Sequence, residues 1–405
     1  MCRQRVDVLW AKKAIAGRLC LWIFVTIHKT NPHADAHFAL ILMPDTLTKL
    51  AYQAFQDGKN YFGLGHKAIA TQLRQWLRPG IKIELDSVTP EFLEEITRRR
   101  DTLLETDWQD AEAGVYPKSL LFDNPWADFF QYYPAIWFDL PAMWDRVEAD
   151  DVYNFDQDID TSMFPRYYLR NFHHQTNGYL TDLSANLYDT QVEILFGGTA
   201  DPMRRRILAP LKQALSVKQA VANTIQDRPD QPTEPLKVLD VACGTARTLK
   251  MLREVFPKVS LFGIDLSPAY LRKANQLLSE TPGTLPQLVQ GQAEDMPYRD
   301  NFFDALTCVF LFHELPGPVR QQIIDEAYRV TKPGGSLIIC DSIQMIDTPE
   351  LEPMMANFPA LFHEPYYRDY TYDDLGDRLT QAGFVDVVTE VHFVSKYWIA
   401  HKPTA

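Results

Sequence analysis

Five cysteines are scattered over 405 residues, and no two of them form a C-x-x-C pair. No metal site is expected from that spacing, and so few thiols point to a reducing compartment rather than a disulfide scaffold. Basic residues are outnumbered, with 40 Lys and Arg against 53 Asp and Glu, which leaves a net charge of -13. A chain of that sign is a poor electrostatic partner for nucleic acid. The two short basic runs, Arg98 to Arg100 and Arg204 to Arg206, read as solvated helix faces rather than phosphate sites. Long apolar runs are also missing. The longest candidate, Leu19 to Ile27, is shorter than the run of about 20 residues that crosses a bilayer, so no integral membrane segment is expected, although peripheral contact stays open. No internal repeat or low-complexity tract is visible.

The chain divides into four stretches. Residues 1–42 carry Arg3, Arg5, Lys12, Lys13 and Arg18 ahead of the short apolar run and do not resemble the rest of the chain. They read as a non-native extension, with translation starting at Met43. An intact mass of the natively expressed protein that lacks residues 1–42 is the expected result, and a mass including them would overturn this reading. Residues 43–225 read as a mainly helical domain that caps a substrate, with Asp45 or Thr46 at the first helix entry. Leu47, Leu50, Ala51 and Ala54 share one helical face. An aromatic belt runs from Trp126 through Phe129, Phe130, Tyr132, Tyr133, Trp137, Phe138, Trp144 and Tyr153 to Phe155. Most of it is expected in the core, broken into short helices by Pro125, Pro134 and Pro141. The stretch from Pro165 to Asp189 mixes aromatics with polar groups and reads as a lid or wall of a site. His173 and His174 there are candidate bases or hydrogen-bond donors. Residues 226–235 carry three prolines and few apolar groups, and read as a linker.

Residues 236–405 alternate strands and helices. Seven strands are expected, at 236–241, 259–265, 287–290, 304–310, 336–341, 384–391 and 393–399, the last two forming an antiparallel pair at the sheet edge. Val238, Leu239 and Val241 supply the apolar run of a strand covered on both faces. Ala242, Gly244 and Ala246 come next as small residues, so the backbone can turn tightly and approach a ligand. The helix from Arg247 to Phe256 would aim free N–H groups at that ligand. Asp265 ends the next strand roughly 20 residues after the turn, where a carboxylate suits a ribose diol. A dinucleotide site would prefer G-x-G-x-x-G, and Asp240 beside the turn suits a cationic aminoacyl group better than a pyrophosphate. S-adenosylmethionine, with a sulfonium, an ammonium and a ribose, is therefore favoured over NAD(P). A purely structural strand-to-helix turn remains the bland alternative.

Five motifs in order carry a resemblance. They are Val238 to Arg247, Gly263 to Pro268, Gly291 to Tyr298, Phe303 to Leu315, and Arg329 to Gly335. Together they resemble a class I S-adenosylmethionine-dependent methyltransferase, most closely the methyltransferase type 11 core of the ubiquinone/menaquinone-biosynthesis C-methyltransferase group. The resemblance covers about the last 170 residues. It implies an α/β fold: a Rossmann-like, doubly wound seven-stranded sheet with its last strand antiparallel, here behind a mainly α-helical N-terminal domain.

The resemblance also implies roles. Asp240 and the backbone of Ala242, Cys243 and Gly244 would hold the aminoacyl end, and Asp265 the ribose. Leu266, Gln292 and Ala293 would meet the adenine, and Phe310 would face the methyl group. Ala242 and Ala246 stand where the family usually has glycine, which is tolerable if their φ stays negative. Gln292 replaces a frequent Asp and can still accept a hydrogen bond. His313 is a candidate base at the rim of the sheet. Tyr188, Glu314 and His363 would border the substrate. The belt and the missing basic patches favour a small apolar or aromatic acceptor, such as a quinone, isoprenoid or phenol. The expected compartment is the cytoplasm, where the sulfonium cofactor is found. A non-catalytic S-adenosylmethionine-binding protein is the alternative from another class.

Overall fold

The structure is a computed structural model that describes residues 44–80, 87–149, 152–225 and 234–404. The expected extension, residues 1–42, lies outside the described residues, as does the expected linker apart from Glu234 and Pro235. The chain divides into two compact units, Met1–Ala54 and Phe55–Ala405. Of the first, the described part is the opening of helix α1, Pro44–Leu77, so Asp45 and Thr46 lie inside the first turn rather than ahead of it.

In the second unit, helices α2 (Pro90–Glu112), α3 (Trp126–Ala149), α4 (Asp182–Leu195), α5 (Ala200–Arg205) and α6 (Leu208–Ile225) precede the sheet. Thr89 starts α2 by accepting from the Phe92 N–H, with Pro90 in the first turn, where a missing N–H costs nothing. Thr181 caps α4 in the same way through Ser184 N. Pro134 and Pro141 do not break the aromatic belt, because both lie inside the continuous helix α3. Pro134 is on its exposed side, where water can take the carbonyl that the proline strands. Nor is most of the belt core. Trp144 is buried, whereas Phe130 and Phe138 are 72% and 84% exposed. A helix turns only one stripe to the interior, and aromatics placed all round α3 cannot share it. Part of the belt packs on α1, with Phe62 against Phe129 at 5.3 Å between ring centres.

The sheet has the expected alternation. Among the described residues it has seven strands in the order β3-β2-β1-β4-β5-β7-β6. They are β1 (Lys237–Val241), β2 (Ser260–Asp265), β3 (Gln287–Gln290), β4 (Phe303–Val309), β5 (Thr331–Ser342), β6 (Val385–His392) and β7 (Ser395–His401). The first five are parallel, and β7 runs antiparallel between β5 and β6. Between them lie helices α7 (Arg247–Val255), α8 (Pro268–Ser279) and α9 (Gly317–Val330), then α10 (Glu352–Leu361), α11 (Tyr367–Tyr370) and α12 (Leu375–Gln381). Apolar strand residues such as Leu239, Ile264, Leu306 and Ile339 are fully buried, as a sheet covered on both faces requires. Gly263 admits no side chain. A Cβ there would lie 2.7 Å from Leu249 and 2.8 Å from the Cys243 sulfur. Residues 332–335 are absorbed into β5 as a bulge, since Phe303 pairs with Thr331 and Ala305 already with Ser336. Asp374 caps helix α12 by accepting from Gly376 N and Asp377 N.

Arg204 to Arg206 are not a solvated face: all three are buried. Arg205 makes a paired contact with Asp107 at 2.8 and 2.6 Å, and Arg206 meets Asp110. Arg204 bonds Asp201 at 3.0 Å, and Asp201 also receives Arg247 from the start of α7 at 2.6 Å. Each carboxylate partner is distant or hidden in the sequence, so the run looked solvent-bound. Burial alone would raise the carboxyl of Asp201, but Arg247 and Arg204 hold it well below the usual range. Asp201→Ala is expected to lower stability by about 3–5 kcal/mol, because it leaves buried guanidinium groups under-compensated. Arg272→Gln, which removes an exposed pair with Asp182, should change stability by less than about 1 kcal/mol. Urea unfolding of both variants checks the contrast.

Candidate functional site

The turn after β1 is tied to the end of β2. Cys243 N donates to the carbonyl of Ile264 at 3.0 Å, and Gly244 N donates to Asp265 Oδ2 at 2.8 Å. Ser267 N donates to the other carboxylate oxygen at 2.8 Å. Asp265 is thus held rigid between two turns, and each of its oxygens keeps room for a further donor. Ala242 and Ala246 adopt φ of 54° and 65°. The condition of negative φ is therefore not met, and each alanine carries left-handed strain of about 1–2 kcal/mol. The gain is a turn so tight that the helix α7 begins at once, with no side chain capping its first N–H groups.

This turn opens onto a cavity bordered by Asp240, Ala242, Cys243, Gly244, Asp265 and Leu266 on one side. Ala293 and Phe310 border it too, whereas Gln292 does not, its neighbours Gly291, Ala293 and Glu294 taking that wall. The opposite wall comes from the 165–189 stretch, through Tyr167, Tyr168, Phe172, Tyr179 and Tyr188. Its rings pack on one another, Phe172 stacking on Tyr179 at 5.4 Å and Tyr179 meeting Tyr270 edge-on at 5.5 Å. Thr245 in the turn donates to Asp189 at 2.8 Å, which joins wall and turn. Asp240 accepts from Thr307 at 2.7 Å and is pushed up to about 7, chiefly by burial. Burial also raises Asp265 to about 6, against the opposing N–H groups of Ser267 and Gly244.

A second, mainly apolar cavity adjoins the first. Tyr188, Phe310 and Glu314 line both. Val192, Leu195, Phe196, Met354, Phe358 and Val394 supply most of its apolar surface. Phe310, at φ 59°, stacks on Phe196 with ring centres 6.2 Å apart. Asp341 at the end of β5 organises the polar rim. It accepts from Leu311 N and Phe312 N at 3.0 and 2.7 Å, and its other oxygen lies 2.6 Å from His313 Nδ1. Burial opposes a charge on His313, but Asp341 raises it to about 9. Tyr179 donates to Glu314 at 2.6 Å. Burial, then Glu364, push Glu314 up to about 7.

Of the three candidate histidines, His173 and His313 reach this cavity. His174 instead faces His363 at 5.9 Å between ring centres, and neither of those two lines either cavity. Arg204 and Phe196 are site residues that sequence reasoning missed. Arg204 was hidden in a run that looked solvent-exposed, and Phe196 stands at an ordinary apolar helix end. The three described cysteines, Cys243, Cys308 and Cys340, are buried and unpaired, as small core residues.

A family model described as a methyltransferase domain matches residues 238–335. A demethylmenaquinone methyltransferase of Anoxybacillus flavithermus is 30% identical over 41% of this chain and 78% of its own length. One from a Geobacillus species is 31% identical, over 37% and 71%. A S-adenosylmethionine-dependent methyltransferase structure from Aquifex aeolicus has 22% identity, covers 45% of this chain and 88% of its own, and aligns with a TM-score of 0.33. Fold and relatives agree: the chain belongs to the class I S-adenosylmethionine-dependent methyltransferases, as a homologue of the demethylmenaquinone methyltransferases. S-adenosylmethionine is the cofactor of this fold. No helix among the described residues is long and apolar enough to cross a membrane.

The raised carboxyls set a pH dependence. Binding of a cationic, ribose-bearing ligand through Asp240 and Asp265, the roles expected from the sequence, requires both to be ionised. Both carry a raised pKa, so both are charged at pH 8 and largely protonated at pH 5.5. The dissociation constant of S-adenosylmethionine should therefore rise at least about tenfold between those pH values, since each proton that must be lost weakens binding about tenfold per pH unit below its pKa. Calorimetric titration at the two pH values checks this, and a flat profile would remove both carboxylates from the binding site.

Proposed function

We propose that the protein transfers the methyl group of S-adenosylmethionine to a small apolar or aromatic molecule of the quinone, isoprenoid or phenol class. The observation that carries this reading is the apolar cavity that shares Tyr188, Phe310 and Glu314 with the cavity at the glycine turn. A ligand in each would meet across those three residues. The name of the curated relatives, demethylmenaquinone methyltransferases, supports the quinone end of the range.

In this reading Asp240 and the backbone of Ala242, Cys243 and Gly244 hold the aminoacyl end, where Asp240 offsets the ammonium. Asp265 accepts from the ribose hydroxyls, already fixed in place by the two turns it bridges. Leu266 and Ala293 pack on the adenine, with Gln292 at the edge of that wall. Phe310 faces the methyl group. The acceptor lies against Phe196, Leu195 and Met354, and His173, His313 and Glu314 are the polar groups within its reach. Residues 55–225 act as the cap. The nucleophile belongs to the acceptor. The protein aligns it with the sulfonium carbon and keeps water away, which turns a bimolecular displacement into one between fixed partners. His173 or His313, in its neutral form, takes up the proton that the acceptor loses, and as an imidazolium donates a hydrogen bond to the acceptor instead. A cytoplasmic location fits the supply of the cofactor.

Two variants separate the halves of the proposal. Asp265→Ala should weaken S-adenosylmethionine at least tenfold in calorimetry, consistent with about 1–3 kcal/mol for leaving buried polar groups unpaired. Leu195→Trp, which fills the second cavity, should leave that affinity within twofold and abolish turnover in a panel of quinols and phenols monitored by S-adenosylhomocysteine release. Turnover that survives Leu195→Trp unchanged would place the acceptor elsewhere. Cofactor binding with no turnover of any acceptor by the wild type would favour a binding protein.

A further inference from the structure

We propose that His173, Glu314 and Glu364 form a divalent-cation site in the wall of the second cavity. The three come from separate parts of the chain: the turn Phe172–His174, the turn Phe312–Glu314, and the segment after α10. Each presents one ligand atom, and these atoms all lie within 4.8 Å of one another. His173 Nε2 is 2.5 Å from Glu364 Oε1 and 3.9 Å from Glu314 Oε1. Ligand atoms about 2.1 Å from a six-coordinate cation are separated by about 3.0 Å when adjacent and about 4.2 Å when opposite. The observed 2.5 and 3.9 Å each lie within about half an ångström of one of these values, so a cation needs only small side-chain shifts.

Glu364 provides the independent sign of a ligand. Its side chain is fully buried, and its second oxygen, Oε2, has no hydrogen-bond partner. Placing an ionised carboxylate out of water without a partner for each oxygen is costly, and a cation beside it removes the cost. Glu314 is oriented from behind by the Tyr179 hydroxyl at 2.6 Å, the kind of outer contact that fixes a ligating carboxylate. The cluster holds two carboxylates and one imidazole, so a divalent ion neutralises it. The absence of paired cysteines excludes a thiolate site only. An imidazole with two carboxylates suits Mn2+ or another hard to borderline first-row cation.

His173 and Glu314 line the second cavity, so the cation keeps open positions toward it, as catalytic sites do. This part rests on the reading of that cavity as the acceptor site. An acceptor with neighbouring oxygens, such as a catechol or hydroxyquinone, would bind through them. The cation would then stabilise the oxyanion formed when the acceptor loses its proton.

The test reads binding without an acceptor, so its failure is distinct from that of the function proposed above. Untagged full-length protein is stripped with chelator and titrated with MnCl2 by calorimetry and electron paramagnetic resonance. One Mn2+ per chain with a micromolar dissociation constant is expected, with nitrogen coupling from a single imidazole. Glu364→Gln should weaken Mn2+ at least tenfold while the melting profile and S-adenosylmethionine affinity stay close to wild type; His173→Ala should weaken Mn2+ as much, with a lower melting temperature because it leaves Glu364 buried without its partner. Absence of stoichiometric Mn2+, Zn2+ or Mg2+ up to millimolar concentration would overturn the proposal and leave His173–Glu364 as an ion pair. Binding without imidazole coupling in the wild type would also overturn it, and that arm holds even if a variant fails to fold.

Discussion

The contact between Arg247 and Asp201 underlies the arrangement of the site. Arg247 opens the helix that leaves the glycine turn, and Asp201 sits in the short helix α5, which packs against it. Both are buried, and Arg247 also reaches the Asp123 carbonyl at 2.7 Å. Asp201 shares its charge with Arg204, and Thr245 reaches Asp189. Charges this deep tolerate few geometries, because each lost partner leaves a desolvated ion. The helical region is therefore fixed on the glycine turn in one register. The tyrosine wall faces the cofactor cavity as a consequence of that register.

A second buried carboxylate plays the same part for the other cavity. Asp341 gathers the backbone N–H groups of Leu311 and Phe312 and the ring of His313. It stops the segment after β4 from continuing as a strand and turns Phe310 and Glu314 toward the space shared by the two cavities. Four residues around the cavities, Ala242, Ala246, Phe310 and His173, hold left-handed backbone without being glycine. Such strain persists only where the surroundings over-determine it. Here those surroundings are the two carboxylate hubs, Asp265 and Asp341, and the ion network behind them.

Two buried acids border the cavity at the glycine turn. Asp240 and Asp265 are raised mainly by burial, so keeping them ionised there is costly. The protein gives up some stability to keep them there. That exchange is common where function and stability compete, and it explains why an acid stands beside a turn that otherwise resembles an anion-binding loop.

Much of the fold was legible in the residues. The alternation of strands and helices, the small-residue turn and the acid ending β2 are local signals, set by neighbours in the chain, and they fix the methyltransferase core. Other features depended on distant partners and were misread or unseen. Arg204 to Arg206 looked solvated because Asp107 and Asp110, far away in the chain, could not be paired with Arg205 and Arg206 from the sequence, and nothing local shows that the Asp201–Arg204 pair is buried. The belt looked like core because aromatic content says nothing about which helix face meets a neighbour. The second cavity draws on positions 173, 192–196, 310–314, 354–358 and 394, which only folding brings together. Sequence alone determined the cofactor turn, because hydrogen bonding and steric limits act over a few residues. Tertiary structure decided the acceptor wall and the His173–Glu314–Glu364 cluster, because packing and charge pairing act across the whole chain.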